Sequence, residues 1–316
     1  LGAHFSAIWI VVANSWMQTP AGYHIVDTPV GQRAEITSFW EAVLNPSSLD
    51  RLWHTLMGAW QAGAFFVISV AAFYLLRRQH ERFAKASMKI AFVVAMAASL
   101  LQLVSGHEGA KIVAEHQPAK LAAFEGVYDT QSEADLTIMG WVDEGQQKVV
   151  GLKIPGMLSW LIDWDTSTEV VGLNEFAEED RPPVQITFQA YHFMVAIGML
   201  LILLAWVGGF LAWKNKLFEH RWMLWILVFS VLLPQISNQL GWAAAEIGRQ
   251  PWIVYELMRT ADGVSETVSA GNVLFSLILF TLIYVALFVV FIVLLDQKVK
   301  HGPLTEDMPR TGEIRS

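Results

Sequence analysis

Gly241-Trp242-Ala243-Ala244-Ala245-Glu246-Ile247-Gly248-Arg249-Gln250-Pro251-Trp252 closes an apolar run that begins near Trp222. Glu246 therefore falls where a membrane helix leaves the bilayer. A carboxylate there is costly without a partner, a proton or a metal. Arg249, three residues on, is within reach of Glu246 or of an anionic group on a ligand. Gly248 and Pro251 end the helix, and two tryptophans flank the pair. Taken alone, these residues read as an interfacial aromatic belt with a capping ion pair.

The rest of the chain fits a membrane protein. Of 316 residues, 54% are hydrophobic and only 16% charged, and 14 are Trp. A soluble protein carries about 25% charged residues. The absence of cysteine excludes disulfides, thiolate metal sites and iron–sulfur clusters, leaving His, Met and carboxylates as metal ligands. A net charge of -8 argues against nucleic-acid binding.

Six apolar segments alternate with polar ones. Residues 1–17 read as the later part of a membrane helix, ended by Gln18-Thr19-Pro20. Further spans are expected at 52–76, 90–106, 187–212, 222–245 and 272–295. Basic residues cluster at Arg77, Arg78, Arg82, Lys85 and Lys89, at Lys214, Lys216 and Arg221, and at Lys298 and Lys300. Short basic turns face the cytoplasm. The polar stretches 18–50, 107–185 and 247–270 then lie outside. The longest of them, 107–185, carries fifteen acids and five bases. No internal repeat supports an inverted-repeat transporter.

His54 and Met194 lie at similar depth near the outer ends of two oppositely directed spans. His plus Met is a known axial pair for haem iron, and two such ligands leave no position for oxygen. A lone His on an apolar helix, such as His4, is more often a packed residue, and Met more often fills a gap. Lys120 and Glu125 in the external segment read, by themselves, as a solvated loop pair. Glu108, beside His107, reads as a solvated acid at a helix end.

The stretch 241–252 nevertheless resembles, residue for residue in order and spacing, the signature of subunit I of cytochrome bd-type quinol oxidases. Ala13-Asn14-Ser15-Trp16-Met17-Gln18-Thr19-Pro20 is similar to the end of that subunit's fourth helix. The resemblance implies an all-α, polytopic membrane helix bundle with a long external quinol-binding loop. Residues 1–106 would hold the first three helices and 107–185 the loop. Residues 186–296 would hold the last three helices, and 297–316 a cytoplasmic tail. It further implies that His54 and Met194 are the axial ligands of a low-spin haem b. Glu246 would ligate one of two high-spin haems, a haem b with either haem d or a further b haem, with Trp242 packed between them. Some members carry Arg where this chain has His192, which is cofactor-binding by position and a rival to Met194. Lys120 and Glu125 match the Lys and Glu implicated in quinol oxidation, and a carboxylate and an ammonium suit a reaction that releases protons from a hydroxyl. Arg249 belongs to the same catalytic signature.

The implied reaction takes electrons from quinol through the b haem to the haem pair, where oxygen is reduced to water. It builds a proton gradient without pumping. Implied partners are a second membrane subunit, small accessory subunits, quinol, oxygen and the lipid of a bacterial or archaeal cytoplasmic membrane. The match covers about the last six of nine helices, so the chain is expected to be N-terminally truncated and inactive alone. Two alternatives compete. A b-type cytochrome passing electrons between quinol and a partner would need His54 and Met194 but not Glu246. A haem-free membrane protein would use Glu246 and Arg249 as an ion pair.

Overall fold

The computed structural model describes residues 2–29, 31–265 and 267–303. Residues 304–316 of the expected tail lie outside the described residues. The chain opens with α1 (Gly2–Gln18), a hairpin of β1 (Tyr23–Thr28) and β2 (Gly31–Ile36), and the short α2 (Phe39–Val43). Then follow α3 (Ser48–Leu76), α4 (Glu81–His116) and α5 (Pro118–Glu125). A second hairpin, β3 (Leu136–Asp143) with β4 (Lys148–Ile154), leads through α6 (Met157–Asp163) to α7 (Val184–Trp213). The chain ends with α8 (Arg221–Phe229), α9 (Leu232–Ile247), a small hairpin of β5 (Trp252–Val254) and β6 (Met258–Arg259), and α10 (Ala270–His301).

Five helical stretches are long and apolar enough to cross a membrane: Ser48–Leu76, Glu81–His116, Glu178–Trp213, Arg221–Ile247 and Ala270–His301. At 17 residues, α1 is shorter than the roughly 20 that a full crossing takes. Two expectations are corrected in detail. The third span, expected over 90–106, is the middle of a helix extending to His116, because the polar run after Gly106 keeps helix-forming residues. The span expected unbroken over 222–245 is interrupted between Phe229 and Leu232. Pro234 has no N–H for the carbonyl of Ser230, and its ring crowds that carbonyl.

The inner half of the bundle packs α3, α4, α7 and α8 around Phe65, Ile68, Met88, Phe92, Leu201 and Leu227, all at most 1% exposed. Glycine sets one close approach there. A Cβ at Gly208 of α7 would lie 2.7 Å from the Phe92 ring of α4. α10 stands apart with none of its residues buried, joined at its end where the Tyr74 hydroxyl donates to the Val299 carbonyl at 2.7 Å.

The opposite half holds the three hairpins and α5, and it frames the site. Thr19, Asn45 and Ser47 form a buried hydroxyl–amide cluster that ties the end of α1 to the start of α3. Phe188 of α7 packs with Val142, Val149, Tyr128 and Leu173, fixing the β3–β4 hairpin against the first turns of that helix.

Candidate haem and quinol site

A cavity of about 440 Å³ opens between the hairpin-side ends of α3, α4, α7 and α9, and α5 covers it. His54 of α3 and Met194 of α7 both line it. A short network sets the imidazole. Ser105 Oγ donates to the Gln102 carbonyl at 3.3 Å, so its lone pair receives His54 Nδ1–H at 2.9 Å. Nε2 then carries the lone pair, and the Gln102 side-chain amide donates to it at 2.6 Å. Such a hydrogen bond on Nδ1 is how proteins orient a metal-ligating histidine. The Gln102 amide stands where an electron-poor centre would sit, and its own Oε1 is buried without a partner. Across the cavity, a Cβ on Gly241 of α9 would come within 2.9 Å of Met194 Sδ, so only glycine leaves the thioether its place. The donor set and this glycine cradle fit a His–Met haem.

His192 does not join them. Its Nδ1 faces the Phe188 carbonyl and its Nε2 the Thr137 carbonyl, each at 2.9 Å, and it is absent from the cavity lining. Both ring nitrogens face backbone carbonyls rather than the cavity, and a neutral imidazole donates to one of them.

Trp242 lines the cavity, while Glu246, one turn on, points toward α1. Its Oε1 accepts from Asn14 Nδ2 at 2.9 Å and its Oε2 from Arg249 Nη2 at 2.5 Å. The Arg51 guanidinium donates to the other side of the Asn14 amide. Each Glu246 oxygen keeps a second lone pair. Arg249 is 7% exposed, and its Nε and Nη1 are buried without partners. Arg51, Lys120 and Arg249 together outnumber the nearby acids Asp50 and Glu246, which suits an anionic ligand with carboxylates.

Lys120 reaches the same cavity from α5, itself 2% exposed. Its ammonium donates to Gln18 Oε1 at 2.5 Å and to Gln117 Oε1 at 2.6 Å. Burial first, and then the Arg51 and Arg249 charges, push its pKa well below the usual lysine range. Gln18 is itself held, donating to the Ala245 carbonyl at 3.3 Å, and its own carbonyl receives Gln117 Nε2 at 2.9 Å. Glu125 is 3% exposed but does not line the cavity. Five residues along a helix turn a side chain by about 140°, so the pair expected to work together lies on different faces of α5. Burial pushes the Glu125 carboxyl up to about 8, against a hydrogen bond from the Thr137 backbone. Its Oε2 has no partner.

Sequence reasoning missed Gln18, Asn14, Arg51, Gln102 and Ser105. Signals were present: Arg51 stands one turn before His54, and Gln102 and Ser105 are polar residues inside an apolar run.

The model of the family described as "Cytochrome bd terminal oxidase subunit I" matches residues 1–303. The chain is 36% identical over 312 residues to the cytochrome bd ubiquinol oxidase subunit 1 of Bacillus subtilis (strain 168), covering 95% of this chain and 66% of that one. It is 35% identical over 316 residues to the putative cytochrome bd menaquinol oxidase subunit I of the same organism, covering 98% and 69%. Its fold matches the solved bd oxidase of Geobacillus thermodenitrificans with a TM-score of 0.85 at 31% identity, over 96% of this chain and 68% of that one. The chain thus spans about two thirds of the length of the relatives it matches.

Proposed function

Because this chain belongs to the cytochrome bd terminal oxidase subunit I family, we propose that it is the haem- and quinol-binding subunit of a membrane oxidase that transfers electrons from quinol to oxygen. The observation that carries this reading is one cavity lined by both His54 and Met194, with the imidazole held at Nδ1 by Ser105 and at Nε2 by Gln102.

On this reading His54 and Met194 hold a low-spin haem b. Glu246, with Trp242 beside it, serves a high-spin haem pair made of a haem b and either haem d or a further b haem. When bound, these groups supply one-electron transfer and the reduction of oxygen to water. The protein's own contribution is orientation and charge. Ser105 fixes the His54 tautomer, and Gly241 keeps Met194 in place. Gln102 would have to release His54 Nε2 for that nitrogen to hold an iron. Arg249 would offer its free Nε and Nη1 to an anionic carboxylate, while its Nη2 donates to Glu246 beside Asn14.

Lys120 holds a quinol oxygen from the cavity side, its ammonium aimed by the two glutamine carbonyls. A quinol loses a proton with each electron it gives up. Glu125, with an affinity near neutrality, takes a proton behind α5 and passes it to the outer water. Protons released outside and drawn from the cytoplasm charge the membrane without a pump. A second membrane subunit, and in some assemblies small accessory subunits, complete the oxidase in a bacterial or archaeal cytoplasmic membrane.

The test is a reduced-minus-oxidised optical spectrum of the complete complex, comparing His54→Ala and Glu246→Ala with the parent. Low-spin b bands are expected to vanish in the first variant and high-spin bands in the second. A His54→Ala complex with every band intact would refute the assignment.

A further inference from the structure

The β3–β4 hairpin has two apolar faces, and only one of them is used by the protein. Val142 and Val149 pack on Phe188 and Tyr128. On the opposite face, Met139 pairs with Leu152 and Trp141 with Val150, and these four are between 61% and 73% exposed. A hairpin with one face in water alternates apolar with polar residues. Four large apolar side chains on the outer face call for something to cover them.

The hairpin's height follows from its bonds to α7. Val142 N–H donates to Gln185 Oε1, Gln189 Nε2 donates to the Gly140 carbonyl, and His192 faces the Thr137 carbonyl. Strand β3 therefore runs beside the first two turns of α7, with Thr137 at the deeper end. After His192 the helix is uninterrupted by any charge or amide through Trp213, 21 residues or about 31 Å at 1.5 Å each. That matches the roughly 30 Å hydrocarbon thickness of a bilayer. Gln189–His192 thus lie within about 6 Å of that boundary, inside the polar interface layer of roughly 5–8 Å on each side, with Met139 level with them and Trp141 one step further out, its long indole able to reach back. Ile186 and Phe193, the residues after Gln185 and His192, are exposed and apolar as well, so the patch adjoins the lipid-facing surface of α7. The hairpin tip, at the far end from Thr137, carries the exposed Glu144, Gln146, Gln147 and Lys148. Lys153 at the deeper end can reach lipid phosphates with its ammonium while its stem lies on apolar surface.

We propose that this outer face is a membrane anchor: Met139, Trp141, Val150 and Leu152 insert into the headgroup–acyl boundary of the bilayer and hold the external segment down on the membrane. The interfacial preference of Trp is the expected signature of such a seat.

The chain contains no cysteine, so single thiols introduced as Trp141→Cys, Val150→Cys and, at the tip, Gln146→Cys can each carry a nitroxide. The labelled complete complex is placed in nanodiscs of phosphatidylethanolamine and phosphatidylglycerol, and the signal of an identically treated parent is subtracted. Each variant is used only if its haem absorption spectrum equals the parent's, and Val150→Cys replaces Trp141→Cys if the loss of indole prevents assembly. Relaxation by oxygen is expected to exceed relaxation by a water-soluble nickel chelate several-fold at 141 and 150, with the order reversed at 146. Nickel dominance at 141 and 150 would place the hairpin in water and overturn the proposal. Protection from both reagents would show a protein partner covering the face, which overturns it equally.

Discussion

At the scale of single residues, the site rests on buried polar groups, some fully bonded and some, such as Arg249 Nε and Nη1 and Gln102 Oε1, without a partner. Lys120 has two amide acceptors and one direction left for a ligand, so on the proposed reading Gln18 would act on quinol through Lys120. A hydrogen bond to a charged group contributes about 1.5 kcal/mol, so Gln18→Leu is expected to raise the quinol KM of the complete complex about tenfold, while Gln18→Glu keeps a partner for the ammonium and retains affinity. If Lys120→Ala raises KM and Gln18→Leu does not, the positioning role fails while the quinol role stands. Glu125 makes a second case. Burial pushes its pKa up to about 8 from the ordinary glutamate value of 4.5, so the folded protein binds this proton more tightly than the unfolded chain. Stability is then lost as pH rises from about 4.5 to about 8 and is level above that. In Glu125→Gln that loss disappears, and the melting temperature should fall less between pH 6 and 8 than in the parent, by on the order of 3 °C. Equal slopes for the two proteins would mean that the carboxyl is ionised at neutral pH.

At the scale of elements, helices were legible where an apolar run was long enough to cross a bilayer, and their ends were not. The run at 90–106 marked α4, yet the helix continues to His116 because it leaves the membrane without leaving its hydrogen-bond ladder. The break between α8 and α9 was written in Pro234 and overlooked, since hydropathy alone reads straight through it. The hairpins escaped notice because a two-stranded ribbon seated on a helix has no periodicity over a long window. Within the site, His54 and Met194 could be singled out by type and depth, whereas the opposed directions of Lys120 and Glu125 required knowing that 118–125 is a helix. The meeting of α7 and α9 gives a prediction of its own. A Cβ at Gly241 would meet Met194 Sδ at 2.9 Å, and the sulfur, at the end of a flexible chain, can yield without unfolding either helix. Gly241→Val is therefore expected to yield assembled complex whose low-spin b band is shifted or lost while the high-spin bands remain. An unchanged low-spin band would mean that Met194 holds no iron.

Across the whole molecule, charge and shape divide the protein into two unlike ends. The helix turns at 77–80 and 214–220 and the end of α10 lie at one end, with Arg77, Arg78, Lys214, Lys216, Lys298 and Lys300. The three hairpins, α5 and α6 lie at the other; of these, α5, β3–β4 and α6 belong to the segment 107–185, which holds fifteen acids to five bases. Basic residues in short turns resist translocation, whereas acids contribute little to orientation, so the hairpin end is expected to face outward. The cavity opens under that outer end, which would put quinol oxidation on the side where its protons are to be released. The arrangement can be read with two exposed glutamines, Gln79 in the α3–α4 turn and Gln146 at the tip of β3–β4. With Gln146→Cys, a membrane-impermeant maleimide is expected to label intact spheroplasts. With Gln79→Cys it should label only after lysis. The reverse pattern would invert the protein in its membrane, and the proton released from quinol at Lys120 and Glu125 would then enter the cytoplasm and dissipate the gradient that the proposed reaction builds.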